Sequence, residues 1–365
     1  MFKLFNTLLR SATRQTQKVQ RKQTRKLLKQ LTKPVRSAPK RPTATKKTAS
    51  RLFAGVRGRF TSLLFDPAAN IAPGTRMDYW LFRPETMGAS DGTTPLVVML
   101  HGCTQTAVEF AEGTRMNRLG ESKGFGVLYP QQTVRLNPNR CWHWYKKIMQ
   151  NGRGEAALIA ELISHVVARY GFDATRVYVA GLSAGAGMAH IVALHHPKLI
   201  AAVGLHSGPM FGAAHNAVSA YAVMQNGGNL VGRGTVDIAT ATAMQSTVDM
   251  PAILIQGTHD SVVRPINQSA LEAQFCALNA LTAAQRQPSQ HRPGGATSRA
   301  ARTFDTVDYR RGRQVVLRVC QIFQLEHAWS GGDPAYPFND RKGPDASRMM
   351  WNFFARHCRK PLQSS

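Results

Sequence analysis

The sequence predicts an α/β fold: a mostly parallel sheet with helices on both faces, preceded by a basic N-terminal arm. Three observations carry that expectation. Short, continuous apolar runs recur at 94–100, 125–130, 176–180, 201–205 and 251–256, and runs of this kind suit strands buried on both faces. Segments of helical period fall between them, so strands and helices alternate as in a layered parallel sheet. Finally, Gly181-Leu182-Ser183-Ala184-Gly185 joins one run to a small-then-apolar helical stretch at 186–194. A Gly-x-Ser-x-Gly turn between strand and helix holds the serine hydroxyl clear of the sheet. It also sets the serine at a helix N-terminus, whose N–H groups favour a developing negative charge.

Taken in order, residues 1–32 contain no Pro or Gly and permit helix, partly formed or disordered. Phe2, Phe5 and Leu9 share one helical face, and Leu27, Leu28 and Leu31 form a second apolar patch. Pro34, Pro39 and Pro42 then make 33–50 a linker. The folded domain starts near 59–61, which gives an arm and linker of 1–58, a domain of 59–358 and a tail of 359–365. Residues 76–84 alternate like an edge strand, ended by Pro84. One helix is expected over 107–123, and 131–154 reads as a loop rich in Asn, Arg, Gly and aromatics. Glu155 to Tyr170 is a helix by the period of Leu158, Leu162 and Val166. Residues 209–249, rich in Gly, Ala, Ser and Thr, suggest a small insertion over the site. A helix at 267–281, a loop at 282–302, a hairpin of 303–309 with 314–324 and a last helix at 344–357 complete the chain.

At 365 residues with 43% apolar content, the chain is long enough for one large domain plus extras. Its net charge of +27 is uneven: no Asp or Glu precedes Asp66, while residues 1–65 hold 18 of the 47 Lys and Arg. The remaining 29 basic and 20 acidic residues leave a moderate +9. Basicity is therefore a property of the arm. An anionic surface or granule would hold residues 1–50 through their charges together with Phe2, Phe5, Leu8 and Leu9. Nucleic acid, the lesser option, would take the charges alone, and the bland reading is a solvated tail. No run approaches 18 apolar residues, so no membrane span is expected. Lys3, Asn6 and Arg10 break the first apolar run, which argues against an ordinary signal peptide and favours the cytoplasm, with a transit-type address as a minor option. The five cysteines, at 103, 141, 276, 320 and 358, match no zinc spacing. Reduced thiols are the default for a cytoplasmic chain, and pairing of Cys103 with Cys141, or of Cys276 with Cys320, stays open.

A serine hydroxyl is a poor nucleophile until a base takes its proton, and that base is normally a histidine oriented by a carboxylate. In the α/β-hydrolase arrangement the chain order is Ser, acid, His, each just past the C-terminal end of a strand. Ser183 is the expected nucleophile. Asp260 follows the strand at 251–256 and suits the acid, whereas Asp249 precedes that strand at the wrong end of the sheet. His327 follows the last strand and suits the base. His259 neighbours Asp260, but adjacent residues on an extended chain point apart. His206 follows the strand after the serine turn, where the base is not expected. The oxyanion donors expected are the backbone N–H groups of Ala184 and of Cys103, the latter in the loop His101-Gly102-Cys103-Thr104-Gln105. The Cys103 thiol itself reads as structural. This chemistry needs no metal or cofactor.

Five stretches carry a resemblance: Leu100-His101-Gly102-Cys103-Thr104-Gln105, Asn139-Arg140-Cys141-Trp142-His143-Trp144, the serine pentapeptide, Gly257-Thr258-His259-Asp260 and Glu326-His327-Ala328-Trp329-Ser330-Gly331-Gly332. In this order, over about 75–357, the sequence resembles the poly(3-hydroxybutyrate) depolymerase-type esterases, a branch of the α/β-hydrolases that also holds feruloyl and acetylxylan esterases. The resemblance implies a serine carboxylesterase acting on esters of short hydroxyacyl oligomers or polymer through an acyl-enzyme. A feruloyl- or acetylxylan-type esterase is the alternative. Trp142, Trp144 and Trp329 are then expected to line the acyl pocket. Such families usually show Trp-Pro-Gly-Gly after the histidine, and here Ser330 replaces the proline. Secreted polymer depolymerases add a signal peptide and a C-terminal polymer-binding domain, and the chain reads as having neither. That directs the expectation to soluble oligomers, or to granules inside the cell, with an extracellular location as the alternative. From a different class, the fold could be only the scaffold of a surface- or nucleic-acid-associated protein; the complete Ser-Asp-His set argues against that.

Overall fold

The computed structural model describes residues 56–67, 76–87, 92–228, 249–293 and 301–359. The expected arm at 1–50, the stretch 229–248 of the expected insertion and residues 360–365 of the tail lie outside the described residues.

Ten strands form one sheet: β1 (Arg59–Phe65), β2 (Met77–Arg83), β3 (Thr94–Leu100), β4 (Gly126–Pro130), β5 (Phe172–Leu182), β6 (Ala202–His206), β7 (Ala252–Gly257), β8 (Gln290–Arg292), β9 (Phe304–Arg311) and β10 (Gln314–Ile322). Their spatial order is β1-β2-β4-β3-β5-β6-β7-β10-β9-β8. The six strands from β4 to β10 in that order are parallel, and the outer pairs are antiparallel. Every residue of β3 is buried, as its unbroken apolar run requires of a central parallel strand. In β5 the pleat divides the side chains: Val177 and Val179 enter one core, and Tyr178, Ala180 and Leu182 enter the other.

Eight helices accompany the sheet among the described residues: α1 (Ala107–Thr114), α2 (Met116–Lys123), α3 (Lys147–Gln150), α4 (Glu155–Tyr170), α5 (Ala184–His195), α6 (Ala217–Asn226), α7 (Ile266–Leu278) and α8 (Ala346–Phe354). Helices α1, α2 and α8 cover one face, and α4, α5 and α7 the other. From β3 the chain crosses toward β4, and from β5 it crosses the opposite way toward β6. Beyond the C-terminal ends of β3 and β5 the connections therefore diverge, which opens the crevice where sheets of this kind bind ligands.

Four expectations need correction. The loop expected at 131–154 holds the short helix α3. The single helix at 107–123 is two, because Arg115 is left-handed (φ 56°) and its N–H closes α1 on the Glu112 carbonyl; its guanidinium meets Asp333 at 3.3 Å. The strand expected at the sheet edge is flanked by β1. The loop at 282–302 holds a 3-10 turn at Ala283–Gln285 and the edge strand β8.

Candidate active site

Ser183 joins β5 to α5 at φ 58° and ψ −121°, a conformation a non-glycine residue adopts only when its surroundings impose it. Two bonds impose it. The Ser183 N–H donates to the His206 carbonyl at 3.0 Å, and the Ser183 carbonyl accepts from Gly187 N–H at 3.0 Å. The turn also demands small neighbours: a Cβ on Gly185 would stand 2.1 Å from the Leu100 carbonyl oxygen. Helix α5 therefore starts against the end of β3, with Ser183 at its N-cap.

Asp260 lies three residues past β7, and its carboxylate is buried. Oδ1 accepts from the N–H groups of Val262 (3.0 Å) and Val263 (2.9 Å). Oδ2 accepts from Gln256 Nε2 (3.0 Å) and from His327 Nδ1 (2.8 Å). Burial alone would raise the acid's pKa; the His327 charge and hydrogen bond, the Val263 N–H and the Ser207 hydroxyl outweigh it and hold Asp260 below the ordinary carboxylate range. The bond to Asp260 assigns the ring proton of His327 to Nδ1 and leaves Nε2 with a free lone pair. The loops carrying acid and base are laced together. Thr258 N–H donates to the Ile322 carbonyl, His259 N–H to the Leu325 carbonyl, and Gln324 N–H to Thr258 Oγ1. They cross so closely that a Cβ on Gly257 would stand 2.1 Å from the Leu325 oxygen. His259 is exposed while Asp260 is buried, so the two point apart, as expected. Asp249 is away from this cluster and pairs with Arg311.

In the loop after β3, Gly102 N–H donates to Gln105 Oε1 (2.9 Å), Thr104 N–H to the Asn139 carbonyl (2.6 Å) and Gln105 N–H to the Gly102 carbonyl (3.4 Å). The Cys103 N–H is left without an acceptor among the described residues, and so is that of Ala184, the first residue of α5. These are the two donors named from the sequence. Cys103 is bonded to Cys141 in a disulfide across a separation of 38 residues, which corrects the default of reduced thiols; Cys276, Cys320 and Cys358 are free. The disulfide ties the loop to the segment whose Trp142 Nε1 donates to the His101 carbonyl at 3.0 Å. Burial drives the His101 pKa down to about 4, and its neutral ring accepts at Nε2 from Gln132 N–H (3.1 Å). A buried cluster of Gln132, His143 and Glu155 braces the same segment, with His143 Nδ1 and Glu155 Oε1 2.6 Å apart. Sequence reasoning missed these supports, since no motif marks a lone glutamine or glutamate as one.

The tryptophans correct another expectation. Trp142 and Trp329 are fully buried, and Trp144 is nearly so. Trp329 donates Nε1 to Ser347 Oγ and meets Phe110 edge-on, while Trp144 packs over Gly187. The faces and N–H groups of Trp142 and Trp329 are committed to the protein interior, so neither offers a pocket wall, and the Trp144 ring also meets Tyr145 edge-on. An indole has the same apolar signature in a core as in a cleft. Among the described residues no group of three or more His, Cys, Asp and Glu side chains is placed to hold a metal ion, and no helix is long and apolar enough to cross a membrane.

The family model described as Esterase PHB depolymerase matches residues 77–297. The chain is 32% identical over 230 residues to poly(3-hydroxyalkanoate) depolymerase C of Paucimonas lemoignei, covering 59% of this chain and 55% of that protein. It is 30% identical over 202 residues to a probable acetylxylan esterase A of Neosartorya fischeri, covering 53% of each. The chain thus spans about half the length of the relatives it matches. Among solved structures, an acetyl xylan esterase from Aspergillus awamori superposes with a TM-score of 0.63 at 18% identity, over 82% of this chain and 99% of that one. The architecture is the α/β-hydrolase fold.

The close approach at Gly185 yields a test. Gly185→Ala forces a methyl group against the Leu100 and His101 carbonyls and should destabilise the protein by about 1–3 kcal/mol, as overpacking does. The urea midpoint measures this, and an unchanged midpoint would show that the turn is looser than described.

Proposed function

Because the chain belongs to the Esterase PHB depolymerase family, we propose that it is a serine carboxylesterase acting through Ser183, His327 and Asp260. The observation that carries the proposal is the 2.8 Å bond between His327 Nδ1 and the buried Asp260 carboxylate, on loops leaving the same sheet edge as the strained Ser183. In this reading His327 Nε2 takes the Ser183 proton as Oγ attacks the ester carbonyl. Asp260 stabilises the imidazolium that forms. The Cys103 and Ala184 N–H groups, without acceptors among the described residues, receive the oxyanion. Collapse breaks the ester C–O bond, and His327 returns the proton to the departing alcohol. Water, deprotonated by the same ring, then splits the acyl-enzyme and releases the acid.

The depolymerase relative supports esters of hydroxyacyl oligomers or polymer as substrates. The acetylxylan esterase relative supports a second reading, acyl groups carried on carbohydrate. For location, the Cys103–Cys141 disulfide favours an oxidising compartment, against the cytoplasm expected from the sequence. For residues 1–50, 15 Lys and Arg without an acid support attachment to an anionic surface.

Ser183→Ala should lower ester turnover by about 10⁶-fold with the melting temperature little changed; a folded variant that keeps turnover would remove the proposal. A panel of acetate esters, acetylated xylan, feruloyl esters and hydroxybutyrate oligomers separates the substrate classes, with the highest kcat/KM expected on the oligomers. Thiol titration of protein purified from its source and denatured without reductant should find three thiols; five would return the protein to a reducing compartment. Deleting 1–50 should leave turnover of a small soluble ester unchanged and weaken binding to anionic vesicles at low salt, where charges act over about 30 Å at roughly 0.01 M. Equal binding by both forms would make the arm a solvated tail.

A further inference from the structure

We propose that His206, acting with Ser207, is a positioning residue that holds the turn bearing His327 and the Asp260 carboxylate in register with Ser183. The proposal rests on the esterase reading above. His206 ends β6, between the strand that leads to Ser183 and the strand that leads to Asp260. It is fully buried, touches the Ser183 turn and the turn bearing His327, and faces Asp260 by way of Ser207. Its carbonyl accepts the Ser183 N–H at 3.0 Å. Its Nε2 lies 3.2 Å from the Ser330 nitrogen, three residues past His327. Its ring stacks on Trp329, with centroids 5.1 Å apart. Its Nδ1 lies 3.2 Å from Ser207 Oγ, and that hydroxyl helps to keep Asp260 ionised.

Counting protons gives this cluster one direction. A backbone N–H can only donate, so His206 Nε2, facing Ser330, is the unprotonated nitrogen. The ring proton is then on Nδ1 and goes to Ser207 Oγ. The ring thus donates to the hydroxyl at 3.2 Å, and the hydroxyl in turn favours the ionised form of Asp260. A protonated His206 would set a second N–H against that of Ser330. Burial prevents this by driving the His206 pKa down to about 3, against the pull of Asp260 and with the help of His327, the two titratable groups that face it.

The consequence for His327 is mechanical and electrostatic. Its bond to Asp260 fixes one ring nitrogen, but the other must still be aimed, and the aim depends on the turn that carries the ring. His206 grips that turn twice, at the Ser330 N–H and on the Trp329 face. Ser207 meanwhile acts on Asp260, lowering the pH at which the acid takes a proton.

The test compares full-length His206→Phe, His206→Gln and Ser207→Ala by kcat, KM, melting temperature and the pH dependence of kcat/KM, with Ser183→Ala as reference. His206→Phe keeps the stacking volume but loses both polar atoms. It should lower kcat by about 10- to 100-fold, the scale of a misaimed group, with KM changed less than about two-fold. His206→Gln, whose amide oxygen can accept from Ser330 N–H, should recover part of that loss. Ser207→Ala strips one donor from Asp260, so its acid-side loss of rate should begin at higher pH than in the parent. A parent-like pH profile in Ser207→Ala, or equal kcat losses in the Phe and Gln variants that follow their melting temperatures, would make His206 a packed core residue and overturn the proposal. If His206→Phe does not fold, the Ser207→Ala profile decides alone. Parent-like kcat in His206→Phe beside an inactive Ser183→Ala would remove only the positioning role. Turnover surviving in Ser183→Ala would remove the esterase reading beneath it.

Discussion

The structure around the site depends on one buried charge. A carboxylate taken out of water costs several kcal/mol unless it is met by donors, and Asp260 is met on both oxygens. Gln256 comes from β7 itself, Val262 and Val263 from the loop beyond it, and His327 from the turn after β10. Ser207 comes from the end of β6. Gln256, Val262 and Val263 lie within four residues of Asp260, but Ser207 and His327 are far off in sequence, and the order β6-β7-β10 is what makes them neighbours. The ionised form is favoured despite burial. The stability it contributes is thus present above the unfolded carboxylate pKa and is lost as pH falls through the lowered folded value.

A second constraint is backbone contact, which leaves no room for adjustment. The start of α5 touches the end of β3 at Gly185, and the acid loop touches the base loop at Gly257. The loop after β3 is fixed from the other side, by the disulfide and by the Trp142 bond to His101. The hydrogen bonds made by the amides of Gly102, Thr104 and Gln105 fix the loop on both sides of Cys103.

Much of this was legible because its signals are local. Central strands show as apolar runs, the serine turn as a pentapeptide, and Asp260 and His327 as polar residues just past strand ends. What was not legible depends on tertiary partners. Nothing in the spacing of five cysteines distinguishes Cys103–Cys141 from other pairs. The break at Arg115 falls on a residue that is neither glycine nor proline, and its guanidinium meets Asp333, more than 200 positions away. Trp142 and Trp329 read as pocket walls from sequence because apolarity is blind to which side of a surface a ring occupies. Chain order argues against His206 as the base but says nothing about a supporting role.

Ser330 shows the same limit from the other direction. By resemblance, the position after Trp329 is usually proline, so the serine reads as a lapse from the pattern. In the fold it makes two bonds: its N–H faces His206 Nε2 at 3.2 Å, and its hydroxyl donates to the Pro344 carbonyl at 2.6 Å. Proline has no N–H and could make neither. A proline would hold this turn by restricting its backbone; the serine holds it through partners. The partner chosen is a histidine whose neutrality is secured by burial and whose other nitrogen faces the serine beside Asp260. The substitution thus links the rigidity of the turn bearing His327 to the hydrogen bonds around the acid, two properties that a proline at 330 would leave independent.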